Sequence, residues 1–85
     1  MARLPLNKRF VIWVRTGRGS EDFTPVASYD KYDEVTAAAE GIVSEYWTPT
    51  LAYTYIGSIW DTSLAPGRGG HVASVLGEDF RVVHH

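Results

Sequence analysis

Arg9-Phe10-Val11-Ile12-Trp13-Val14-Arg15 places five apolar residues in an unbroken run between two arginines. Side chains of a strand alternate between its two faces. Phe10, Ile12 and Val14 therefore share one face, and Val11 and Trp13 the other. A strand in a two-layer domain needs only one apolar face. The second face carries a tryptophan and needs its own cover: the chain's tail, a second copy or a partner. If residues 71–83 fold back over it, Val11 and Trp13 are core. If they do not, these residues are surface.

The residues on either side support a central position for this strand. Thr16 to Asp22 is polar and holds Gly17 and Gly19, the composition of a hairpin loop. Phe23 to Tyr29 follows as a second strand. Pro25 has no N–H for a ladder, so this strand belongs at an edge. Next comes a helix, with Asp30 as its expected N-cap and Asp33 and Glu34 at the positive end of its dipole. Tyr32, Val35, Ala39, Ile42 and Tyr46 recur at helical spacing and form the expected buried stripe. Gly41 interrupts the helix and is expected to mark close packing on the sheet. Thr48-Pro49 ends it, because the residue before proline leaves the α region.

Residues 51–60, Leu-Ala-Tyr-Thr-Tyr-Ile-Gly-Ser-Ile-Trp, are rich in β-formers and predict a third strand. Gly57 in it marks a bulge or a close approach. Residues 61–70 form a glycine-rich loop. Residues 71–76 are too short for periodicity to choose between helix and strand, and residues 80–83 predict a last strand. A right-handed crossover through the helix sets strand three parallel to strand two. Strand one then lies between them, antiparallel to both, with the last strand beside strand three. The fold class is α+β: one small two-layer β-β-α-β(-β) domain over residues 1–85. Its sheet is mostly antiparallel, with one long helix on one face, and residues 1–8 form a loose N-terminal arm.

Composition narrows the function classes. The 85 residues are 45% apolar and 21% charged, an ordinary globular balance. The chain has no cysteine, which excludes disulfides, thiol catalysis and Cys-ligated zinc. No apolar run reaches the roughly 20 residues of a membrane span, and the first eight residues lack a signal-peptide core. The expected location is the cytoplasm of a prokaryote, or of a prokaryote infected by a virus. The net charge of −2 argues against non-specific attraction to nucleic acid or anionic membrane.

No motif carries convincing chemistry. The two Gly-Arg-Gly triplets, at 17–19 and 67–69, have an arginine suited to anions. However, neither has the Gly-Lys-Ser/Thr of a phosphate loop or a strand-turn-helix setting, and both suit turns. His71, His84 and His85 lack the spacing of metal ligands, so neither metal nor cofactor is expected. Asp61 lies near Ser58, Thr62 and Ser63 without a base or an orienting partner in a recognisable pattern. Glu21, Asp22, Asp30, Asp33, Glu34, Glu40 and Glu45 cluster over the second strand and helix, as a solvated acidic face would. An enzyme is not expected.

The leading expectation is a non-catalytic protein-binding module that associates with itself or with another protein, a homodimer first. A small accessory or host-targeting protein of a phage or bacterium has this size. Val11, Trp13, Tyr53, Tyr55 and Trp60 would supply the contact, since Trp and Tyr are enriched among interface hot spots. The alternative is a single-stranded nucleic-acid binder. It would stack bases on the same aromatic face and contact phosphate through Arg9, Arg15, Arg18 and Arg68. Eight basic residues against ten acidic ones weigh against it.

Overall fold

A computed structural model of the chain describes residues 8–17, 22–47, 55–63, 70–77 and 80–84. Tyr53, Arg18, Arg68, most of the arm and most of the glycine-rich loop lie outside the described residues. The elements are β1 (Phe10–Arg15), β2 (Phe23–Tyr29), α1 (Tyr32–Tyr46), β3 (Tyr55–Asp61), β4 (His71–Leu76) and β5 (Val82–His84). The strands form one sheet in the order β2-β1-β3-β4-β5, with every neighbouring pair antiparallel.

The apolar run of β1 takes an interior place between β2 and β3, as its two apolar faces require. β2 and β3 are both antiparallel to β1 and hence parallel to each other, with α1 as their crossover. β2 lies at an edge, where Pro25 costs no ladder bond to a further strand. Residues 71–76 resolve as a strand. This strand takes the free side of β3, so the last strand pairs with β4 and not with β3 as expected.

One sheet face and the helix enclose the core. Phe10, Ile12 and Val14 of β1 are buried with Ala27, Ile59, Ala73 and Val75 from the other strands. Val35, Ala39 and Val43 of α1 close over them. Burying a side chain the size of valine or isoleucine stabilises the fold by about 1.5–3 kcal/mol. This stripe therefore fixes the face on which the helix sits.

The helix departs from the sequence reading in three ways. Val43 takes a core position that the expected stripe omitted, while Tyr46, the last helical residue, is exposed. The N-cap is Lys31, in extended conformation and without a side-chain cap bond, not Asp30. Asp30 instead faces the Lys8 ammonium at 3.7 Å, and Tyr32 packs edge-on against Phe10 with ring centroids 5.6 Å apart. Gly41 is exposed, and a Cβ there would meet nothing within 4 Å. The close approach of helix and sheet is at Gly57, where the β3–β4 register also shifts.

Candidate functional site

β4 and β5 extend the sheet and do not fold back across it. Among the described residues, every strand belongs to the sheet and the single helix lies on its Phe10 face. Val11 and Trp13 therefore belong to a face over which no described element lies.

Register assembles that face. Val11 pairs with Trp60 and Trp13 with Ser58 across the β1–β3 ladder. On the β2 side, Val11 pairs with Ser28 and Trp13 with Pro25. On the β4 side, Trp60 pairs with His71 and Ser58 with Ser74. Directly opposed residues of an antiparallel pair share a face, so these side chains form two consecutive rows across four strands. Val11 lies low, 6% exposed, while Trp60 stands up at 39%. Trp13 is half-buried.

The aromatic groups are held in place. Trp60 stacks on His71, with ring centroids 4.9 Å apart and planes inclined by 17°. The Trp60 Nε1–H donates to Ser58 Oγ at 3.1 Å. Ser74 Oγ and His71 Nε2 share a hydrogen bond of 3.0 Å. A fixed, partly exposed indole loses little rotamer entropy on binding and so makes a good contact residue. The Ser74–His71 contact has the atoms of a nucleophile and its base. Ser74, however, is only 1% exposed, so a substrate has no path to its hydroxyl. The pair ties β4 to the face.

The arginines at the rim are engaged inside the chain. Arg15 donates from Nε to the Tyr55 carbonyl at 2.9 Å and from Nη1 to the Gly17 carbonyl at 3.2 Å. Its guanidinium lies 4.6 Å from the centroid of the Phe23 ring. Tyr55 itself is half exposed at this rim. Arg9 forms a two-pronged bond with Asp61, Nε to Oδ1 at 3.0 Å and Nη2 to Oδ2 at 2.9 Å. Asp61 also accepts from the Ser63 N–H and hydroxyl. The Arg9 bond, helped by Ser63, holds the Asp61 carboxyl far below the usual carboxylate range although burial opposes ionisation. In return, Asp61 raises the Arg9 guanidinium. The group thus joins the start of β1 to the end of β3.

Of the residues singled out from sequence, Val11, Trp13 and Trp60 come together on the face away from the helix, with Val11 buried rather than exposed as expected, and Tyr55, Arg15 and Arg9 lie around it. Tyr53, Arg18 and Arg68 fall outside the described residues. Sequence reasoning missed Ser58, Ser74 and His71 as part of the face. His71 had the signature of a turn beside glycines, and only the strand assignment of 71–76 brings it under Trp60. Among the described residues, no group of three His, Asp or Glu side chains gathers to hold a metal, and no helix is long and apolar enough to cross a membrane.

The fold and face together define a small α+β domain with the helix on one sheet face and, among the described residues, no element over the other. No family model matches the chain, and no curated protein or solved structure is significantly similar to it.

Proposed function

We propose that this chain is a non-catalytic protein-binding module, an accessory protein whose contact surface is the sheet face away from the helix, through the partly exposed Trp13 and Trp60. The observation that supports it is the Val11–Trp60 and Trp13–Ser58 pair of rows on the side of the sheet away from the helix. The two tryptophans are the anchors, and His71 and Ser58 hold one of them in position. Interface cores are depleted in charged groups and enriched in aromatic ones, and these rows contain no Asp, Glu, Lys or Arg. The absence of an accessible nucleophile in the Ser74–His71 pair favours binding over catalysis.

The nucleic-acid alternative uses the same aromatic groups but needs arginines directed at phosphate. Arg9 is neutralised by Asp61, and Arg15 is spent on backbone carbonyls and the Phe23 ring. Both observations favour the protein-binding reading.

The test is capture of proteins, including added free copies of this chain, on immobilised wild type and on immobilised Trp13→Ala and Trp60→Ala. Retention by the wild type and loss by both variants, with helix content unchanged by circular dichroism, is the expected result. Equal retention on all three surfaces excludes this face as the contact.

A further inference from the structure

We infer that β5 is a strap that opens from its Phe80 end while its His84 end stays fastened to the helix. The inference is independent of the binding role proposed for the Trp13 face. Three observations carry it: the place of the strand, and two clips of unequal quality that hold it.

β5 is three residues long and stands at the edge of the sheet, with β4 as its neighbour in the strand order. The two ends of this segment reach the two ends of α1. His84, the last residue of β5, meets Tyr32, the first residue of the helix. Phe80, two residues before β5, meets Trp47, the residue that follows the helix. Residues 80–84 therefore run from the C-terminal end of α1 to its N-terminal end and are fastened at both.

The His84 clip is well bonded. The Tyr32 hydroxyl and His84 Nδ1 share a hydrogen bond, and the two ring centroids lie 5.4 Å apart. The same hydroxyl reaches the Val72 carbonyl at 3.4 Å. This clip joins α1, β4 and β5 through one side chain.

The Phe80 clip carries two uncompensated costs. Its rings meet edge-on, and Phe80 makes that contact with φ at 54°, a left-handed conformation that a Cβ disfavours. Across the contact, the Trp47 indole N–H is buried and has no hydrogen-bond partner among the described residues. A buried donor without an acceptor loses its hydration and gains nothing in return. Opening frees the Phe80 backbone and gives the indole N–H to water. Closing gains the contact of two rings that are only half-buried. Such outliers are held in place by the structure around them, and a short edge strand holds them weakly.

Opening bares the outer edge of β4. Ala73, Ser74 and Val75 pair with His84, Val83 and Val82. The Leu76 N–H donates to the Arg81 carbonyl at 2.8 Å just beyond these pairs. Release from the Phe80 end breaks the Leu76 bond first. The freed backbone of β4 is then a template for an added strand, and the His84 clip returns β5 to its place.

Hydrogen exchange of the Leu76 amide, followed by NMR, tests this against the amides of the interior strand β1. In the wild type Leu76 is expected to exchange about 10-fold faster or more, because a local opening requires less than global unfolding. Replacing Trp47 by benzothienylalanine keeps the fused-ring shape and puts sulfur in place of the N–H. It removes one of the two costs and is expected to slow Leu76 exchange about 5-fold or more. Phe80→Ala loses the clip and speeds Leu76 exchange. Tyr32→Phe leaves it nearly unchanged, since the Tyr32–His84 bond is present both before and after the opening. Circular dichroism checks that each variant keeps its fold.

Leu76 exchange at the β1 rate in the wild type overturns the inference, because β5 then moves only with the whole fold. An analogue that leaves Leu76 exchange unchanged, or speeds it, overturns it too, since the indole N–H then has no unmet need. So does a Tyr32→Phe variant that speeds Leu76 as much as Phe80→Ala does, which would place the opening at the other end.

Discussion

Gly57 of β3 lies against Val43 of α1 so closely that a Cβ built on the glycine would sit 2.7 Å from Val43 Cγ2. It would also sit 3.3 Å from the Val75 Cβ. The distance between helix and sheet is therefore set by a missing methyl group. Gly57→Ala is expected to destabilise the protein by about 1–3 kcal/mol through overpacking. Val43→Ala leaves a gap next to that position and destabilises the fold by itself. In the double variant the new methyl enters the gap, so the combined loss is smaller than the sum by at least about 0.5 kcal/mol. Urea unfolding of the four proteins checks this, and strict additivity contradicts the contact.

Asp61 supplies a pH dependence with a definite sign. Its folded-state carboxyl titrates below the usual range because Arg9 and Ser63 bond the ionised form. The unfolded carboxyl titrates at about 3.9. A lowered folded value means that the stabilisation is fully present above the unfolded value and fades as pH falls below it towards the folded one. Asp61→Asn is expected to lose about 1.5–3 kcal/mol at neutral pH, the range for hydrogen bonds to a charged group. The gap between wild type and variant should stay level from pH 7 to pH 5 and close as the pH falls below about 4. Denaturation at a series of pH values measures it. A gap that stays constant down to pH 3 would show that Asp61 keeps an ordinary carboxyl.

Phe80 adopts a positive φ of 54° just before β5. Its ring packs edge-on against Trp47, with centroids 5.8 Å apart. A residue with a Cβ pays about 1–2 kcal/mol for this left-handed backbone. The aromatic contact holds it there. Phe80→Ala loses the ring and keeps the strain, whereas Phe80→Gly loses the ring and the strain together. The glycine variant is expected to be about 1 kcal/mol more stable than the alanine variant, although both fall below the wild type. Thermal melting of the pair gives the order directly, and the reverse order would mean that the backbone at this position carries no strain.

Much of the sheet was legible because patterns of period two survive in the chain. The Phe10–Val14 run marked an interior strand, Pro25 marked an edge, and the crossover rule fixed how β2, β1 and β3 lie. Residues 71–76 were not legible, since six residues that suit helix and strand equally are decided by the free side of β3 and not by their own preference. The position of Val43 was hidden too, because helical spacing alone admits several stripes and the recess at Gly57 selects among them. On the face away from the helix, Trp13 and Trp60 were legible as members of one contact surface, but the register that sets them in adjoining rows was not. Register shifts between Tyr55 and Gly57 and between Ile59 and Trp60 break the alternation of β3 against β4. Ile56 lies in the core, and the unshifted β1–β3 ladder sets Trp60 beside Val11. A bulge obeys no local period, so the pairing of Trp60 with His71 emerges only from the folded sheet.

The state of the two arginines leads to a last expectation, about nucleic acid. A binder of single strands gains affinity from arginine–phosphate contacts, and that affinity falls steeply as salt rises. Arg9 would have to give up its bond to Asp61, and Arg15 its bonds to the carbonyls of Tyr55 and Gly17, before either met a phosphate. Each surrender leaves a group inside the chain without its donor, and the Asp61 carboxylate is 7% exposed and ill placed to regain water. A titration of labelled single-stranded oligonucleotides at low salt is therefore expected to show no saturable binding to the wild type. Asp61→Asn frees the Arg9 guanidinium and should bind more than the wild type does, weakly and only at low salt. Tight wild-type binding that weakens with salt and is lost in Trp13→Ala would instead assign the Trp13 face to nucleotide bases.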